Sequence, residues 1–281
     1  MRAHELHLSI INQKIMVIHC NQFIQYKTTV MKTALSFITI WCIASVLLFS
    51  SCIHYYYQPS ANNVPLFKEK NEARIQIQSS GGNNLSGFDA QTAYAVGDHT
   101  GLQLNFFHAG AKEEGYGIGR GNYIEAAAGY FKAFTNNRLV FETYGGLGYG
   151  SVTNVYGSSD FYGGESSKFG ILKLFAQPSF GFTHKNFSVA LSSKFAVASF
   201  HLASSSVTKE NNPYDVEDIK SLDNKSFFLW EPGFMIRGGF EHFQLLVQVT
   251  KTAYTSGALP ADNINGSIGI IVPFKINGKS H

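Results

Sequence analysis

Residues able to do chemistry are few in this chain, and their spacing is mostly uninformative. Of the three cysteines, Cys20 and Cys42 lie in a leader-like stretch. Beyond it Cys52 stands alone, so neither an internal disulfide nor a cysteine metal site can form there. Cys52 follows an apolar run from Ala34 to Phe49 and two small residues, Ser50 and Ser51, a layout that fits a processing site just before the thiol. His108 and His201, with Asp215, Glu217 and Asp218 and many serines nearby, could supply a base and a nucleophile. No spacing among them defines a triad. The glycine runs Gly117 to Gly121 and Gly145 to Gly150 do not open a helix, which a nucleotide fingerprint requires. In strands such glycines make room for a close backbone or an aromatic ring. The acids between His201 and Lys225 lack the ligand spacing of a calcium loop. No cofactor, metal or catalytic residue is therefore expected.

Cleavage before Cys52 would leave 281 − 51 = 230 residues, enough for one domain. Arg2, Lys14, Lys27 and Lys32 against Glu5 place the whole net charge of +3 in the part removed. The remainder is formally neutral and has no basic patch for phosphates, which argues against nucleic acid as a partner. The expected organisation begins with residues 1–30 as a non-native or untranslated leader, because Met31-Lys32-Thr33 starts a better signal peptide. Residues 31–51 are that signal, 52–71 an extended, unpaired tether, 72–275 the folded domain and 276–281 a short tail.

The elements that must position any site show themselves from Glu72 onward. Arg74-Ile75-Gln76-Ile77-Gln78 and Leu102-Gln103-Leu104-Asn105-Phe106 alternate with a period of two, which marks half-buried strands. About ten segments follow: Glu72 to Ser79, Gly87 to Val96, Gly101 to His108, Asn122 to Phe134, Arg138 to Val152, Lys168 to Thr183, Asn186 to Phe200, Ser226 to Arg237, His242 to Thr250, and Ile264 to Phe274. Short turns alternate with long polar loops. This is the connection pattern of an up-and-down barrel whose turns gather at one end and whose loops gather at the other.

One face of these strands is apolar, including Ile124, Leu147, Leu174, Leu191, Trp230, Val247 and Ile270. The opposite face is rich in Gly, Ser, Ala, Asn and Gln. That polar face carries too few charges to be a water-facing exterior, where roughly a quarter to a third of residues are charged. Phe134, Phe182, Phe187, Phe243 and Phe274 sit beside short turns or at the last strand's end, the level of an aromatic girdle. The apolar face therefore points into lipid. Inward-facing charges are then Arg74, Asp89, Glu125, Glu142, Lys173, Lys194, Glu231 and Arg237, four of each sign, expected to pair in a plugged lumen. A narrow polar conduit is the alternative.

Phe49-Ser50-Ser51-Cys52 resembles the lipobox of Gram-negative lipoproteins, which implies a diacylglycerol thioether on Cys52. From about Glu72 to Phe274 the chain resembles the small Gram-negative outer-membrane β-barrel family, with Phe274 in the place of the aromatic near the end of the last strand. Lys275 to His281 depart from that pattern by following it. The combined expectation is an all-β, antiparallel transmembrane barrel of about ten strands, lipid-anchored in the outer membrane, with both termini periplasmic. Its role would be structural or interaction-based, with the His201 to Lys225 loop as the surface for an extracellular partner. Competing readings are a soluble lipocalin-like lipoprotein binding a small apolar ligand, an outer-membrane hydrolase or acyltransferase, and a narrow pore.

Overall fold

A computed structural model describes residues 54–113, 117–156, 164–254 and 259–276. Cys52, the processing site and the tail beyond Ile276 lie outside the described residues. The strands are β1 (Glu72–Gly81), β2 (Ser86–Ala95), β3 (Thr100–Glu113), β4 (Gly117–Phe134), β5 (Leu139–Tyr156), β6 (Glu165–His184), β7 (Phe187–Ser205), β8 (Ser226–Phe240), β9 (Phe243–Lys251), β10 (Ala253–Tyr254) and β11 (Ile264–Lys275). The two-residue β10 resumes the path of β9 after Thr252 and pairs with β8. Ten strands thus form the wall, all neighbours antiparallel. The seam closes where β1 pairs with β11, Glu72 opposite Lys275 through Gly81 opposite Gly266. Closure leaves no strand edge whose backbone groups would need water, the condition for crossing a bilayer with strands.

The apolar face points outward as its period requires. Leu147, Leu174, Leu191 and Ile268 are each about three-fifths exposed (59%, 60%, 64% and 63%). Side chains this apolar would be untenable as a water-facing surface but suit a lipid belt. The five girdle phenylalanines are also exposed, all at the short-turn end. Two of the four connections there bring in left-handed residues: Thr135, Asn136 and Asn137 have φ of 51°, 55° and 61°, and Lys185 has φ of 48°. Asparagine tolerates this region best among residues with a Cβ.

Strands on the long-loop side run further than their composition indicates. Residues 109–121 look like loop, yet β3 continues to Glu113 and β4 begins at Gly117, with Lys112 opposite Ile118. β7 extends to Ser205 and is followed by a helix, α1 (Pro213–Leu222), inside what reads as a structureless loop. Pro213 at its start and the burial of Ile219 and Leu222 explain it. One apolar edge docks, so ten residues suffice for a helix.

Two glycines of β5 show what the runs do. A Cβ on Gly150 would collide with the Tyr123 ring and the Asn122 carbonyl, whereas one on Gly145 meets nothing nearer than the Phe175 carbonyl at 3.9 Å. Gly150→Ala is therefore expected to destabilise the barrel by about 1–3 kcal/mol through overpacking, and Gly145→Ala by less than about 0.5 kcal/mol. Urea unfolding from lipid vesicles would check the contrast.

The largest departure from expectation concerns residues 52–71. The described part does not form a free tether. Tyr56, Tyr57, Ala61, Asn62, Asn63, Val64, Leu66 and Phe67 are all buried, because the segment runs through the barrel as a strap. An extended strap of about 14 residues reaches roughly 45 Å, comparable with the height of a wall built from strands of 18 to 20 residues. Its sequence carries no period of two because its partners surround it on every side.

Candidate functional site

The strap's contacts run in chain order along the lumen. At the long-loop end, His54 Nδ1 lies 3.0 Å from Asp215 Oδ1 on α1. Asn84 Nδ2 donates to Tyr55 Oη at 2.6 Å, and Tyr56 N donates to the Pro260 carbonyl at 2.8 Å. Tyr56 and Tyr156 join through their hydroxyls. The Tyr56 ring meets Phe169 edge-on at 5.4 Å. At the short-turn end, Phe67 packs on Phe131 with ring centroids 5.5 Å apart, and Ile276 N donates to the Asn71 carbonyl at 2.9 Å. His54 and Ile276 therefore lie at opposite mouths; the termini themselves, expected to share the periplasmic side, lie outside the described residues. The amino end enters at the mouth where the long loops gather.

Between the mouths, neutral amides of the wall hold the strap's backbone. Gln91 Nε2 donates to the Ala61 carbonyl at 2.7 Å, Gln248 Nε2 to Asn62 at 2.8 Å, and Asn265 Nδ2 to Pro59 at 2.8 Å. The Asn63 carbonyl accepts from both Gln103 Nε2 at 3.2 Å and Gln177 Nε2 at 2.7 Å. An isolated extended chain has no ladder partner, and a buried carbonyl without one costs about 1–3 kcal/mol. The wall's glutamines and asparagines take the place of the missing strand. Pro59 and Pro65 suit this setting since neither brings an N–H that would need an acceptor.

The eight inward charges divide into two groups. Glu125, Lys173, Lys194 and Glu231 form one cluster: Lys173 Nζ lies 2.7 Å from Glu125 and 3.7 Å from Glu231, and Lys194 Nζ lies 3.1 Å from Glu125. The strap enters this cluster, because Tyr57 Oη accepts from Lys173 Nζ at 3.0 Å and donates to Glu231. Two positive and two negative groups, all almost fully buried, balance one another only while all four are charged. Glu125→Gln is expected to cost about 3–5 kcal/mol, since it leaves the buried Lys194 ammonium without a carboxylate and Lys173 with Glu231 alone. Adding Lys194→Met should recover part of that loss, and urea titrations of the single and double variants would measure the coupling.

The other four charges depart from mutual pairing. Asp89 Oδ1 accepts from Ala61 N at 3.0 Å, and Glu142 Oε1 accepts from Phe67 N at 2.8 Å. Arg237 donates through Nη2 to the Pro65 carbonyl at 3.0 Å and through Nη1 to Val64 at 3.4 Å. Arg74 lies over the Phe67 ring, its Cζ 5.2 Å from the centroid. Each of these groups was expected to meet an opposite charge across the lumen, and each meets the strap.

Sequence reasoning missed the apolar half of the seat. Phe107, Phe169, Ile171, Phe200, Phe227 and Leu229 point inward and are buried around Tyr56 and Tyr57. Large inward apolar residues in a barrel otherwise lined with amides were the available signal, since a water-filled lumen would not retain them. At the rim, His108 Nδ1 is 2.8 Å from Asn122 Oδ1, and His201 Nδ1 is 3.1 Å from Asn224 Oδ1 and 4.0 Å from Asp223 Oδ1.

A closed antiparallel barrel with an apolar outer belt defines a transmembrane protein of the outer-membrane β-barrel class. No protein-family model matches the chain, and no curated protein does. Among solved structures, it is similar to the COG4313 outer membrane channel from Pseudomonas putida F1, at 11% identity over 78% of this chain and 98% of that one, with a TM-score of 0.35. It is also similar to OmpT, an outer membrane protein of Vibrio cholerae, at 8% identity over 72% of this chain and 96% of that one, with a TM-score of 0.24.

Proposed function

We propose that this protein is a lipid-anchored outer-membrane barrel with a structural or surface-interaction role, its lumen kept closed by the strap and by the Glu125 charge cluster. The observation that carries this reading is the continuous seating of residues 54 to 67 against the inner wall, with Tyr57 wired into the cluster. The lipid anchor is the thioether on Cys52, and the barrel's own belt holds the protein in the bilayer beside it. The long-loop face, including α1 and residues 201–225, is the surface offered to an extracellular partner. Intact protein in planar bilayers should show no steady openings; steady current would defeat the closed lumen. Incorporation of labelled palmitate that persists in Cys52→Ala would defeat the anchor.

A further inference from the structure

At the short-turn mouth a cleft of about 390 Å³ opens beside the strap, and its walls include Arg74 and Arg237, only 7% and 5% exposed. Among the described residues neither guanidinium has a carboxylate oxygen within 4.0 Å, and the Nε of each has no hydrogen-bond partner. The two guanidiniums repel one another, while Glu142 and Glu72 attract both from beyond pairing distance. Three of the nearby acids are already engaged, and Glu241 also lines the cleft. Glu142 Oε1 accepts from Phe67 N, Glu72 Oε2 accepts from Lys68 N at 2.7 Å, and Glu69 pairs with Lys275 at 2.9 Å. Lys68 and Lys185 add further positive charge to the lining. Two buried, mutually repelling guanidiniums without a carboxylate in pairing contact are costly to maintain, and their planar donor sets match a tetrahedral or planar oxyanion.

We infer that this cleft is a binding site for a phosphate group, open to the compartment that the short turns face. Arg74 and Arg237 clasp its oxygens, and the lysines at the rim draw it in. The shared chemistry has two sources, a free phosphate-bearing solute or the headgroup of an anionic phospholipid from the adjoining leaflet. The inference rests on the strap lying in the lumen, since Val64, Pro65 and Phe67 position the arginines.

The full chain, folded in an uncharged detergent, is titrated calorimetrically with inorganic phosphate against chloride of equal ionic strength. Saturable binding is expected. It should weaken about tenfold or more in Arg74→Gln and in Arg237→Gln, as loss of a charge-assisted pair implies, and stay unchanged in Lys209→Gln at the opposite mouth. Should a variant not fold, broadening of the phosphate ³¹P line by the native protein decides instead. Native mass spectrometry separates the sources: retained anionic phospholipid that free phosphate does not displace marks a headgroup, and displacement marks a solute. Absence of both phosphate binding and retained anionic lipid in the native protein would overturn the site. Failure of the closed-lumen reading would show separately, as steady bilayer current.

Discussion

Deleting His54 to Phe67 is expected to turn an electrically silent barrel into one that passes steady current in a planar bilayer. The wall does not depend on the strap for its ladder, since every strand pairs with two wall neighbours through backbone hydrogen bonds. Removal takes away the chain that fills the lumen and leaves Gln91, Gln103, Gln177 and Gln248 without the carbonyls they serve. Those amides, with Glu125, Lys173, Lys194 and Glu231, would then be solvated by entering water, as in other water-filled barrels. The deletion also frees Phe169, Phe200 and Phe227, so some stability is lost, and the heat-modifiable gel shift checks that the barrel has formed. A folded deletion protein that stays silent would show that wall side chains alone close the lumen.

A short epitope placed directly before His54 is expected to be reached by antibody on intact cells, while one added at the carboxyl end is reached only after the outer membrane is permeabilised. The basis is the order of contacts, from Asp215, Asn84 and Pro260 at the amino end of the strap to Glu142 and Phe131 at the other. Short turns face the periplasm in barrels of this class, and Ile276 lies with them. An amino-terminal epitope hidden in intact cells would show that the strap does not traverse the lumen. Exposure of the carboxyl-terminal one alone would invert the barrel.

The wall was legible because alternation is a local property. Arg74 to Gln78 already displays both faces, and register follows once each apolar set must meet lipid. Strand ends on the loop side were not legible, since residues 109–121 are glycine-rich and polar and gain their strand form from pairing across β3 and β4. The charges could be assigned to the inner face but not to partners. Period two fixes which way Glu142 and Arg237 point, while what they meet depends on a segment remote in sequence. The strap itself gave no local signal. The inward glutamines and phenylalanines recorded its presence on the wall, in a form readable only once something lies between them.

Threading also changes what a lipid on Cys52 would accomplish. The strap is joined covalently to β1 at the short-turn mouth, and a free amino end could in principle be drawn back through the lumen toward that mouth. Two residues before His54, acyl chains inserted in the leaflet on the long-loop side would block such withdrawal, because about 0.8 kcal/mol per methylene opposes pulling them into a polar lumen. On the proposed acylation, the modification acts as a stopper on a threaded cord. The barrel would be anchored by its belt, and the lipid would secure the cord inside the barrel.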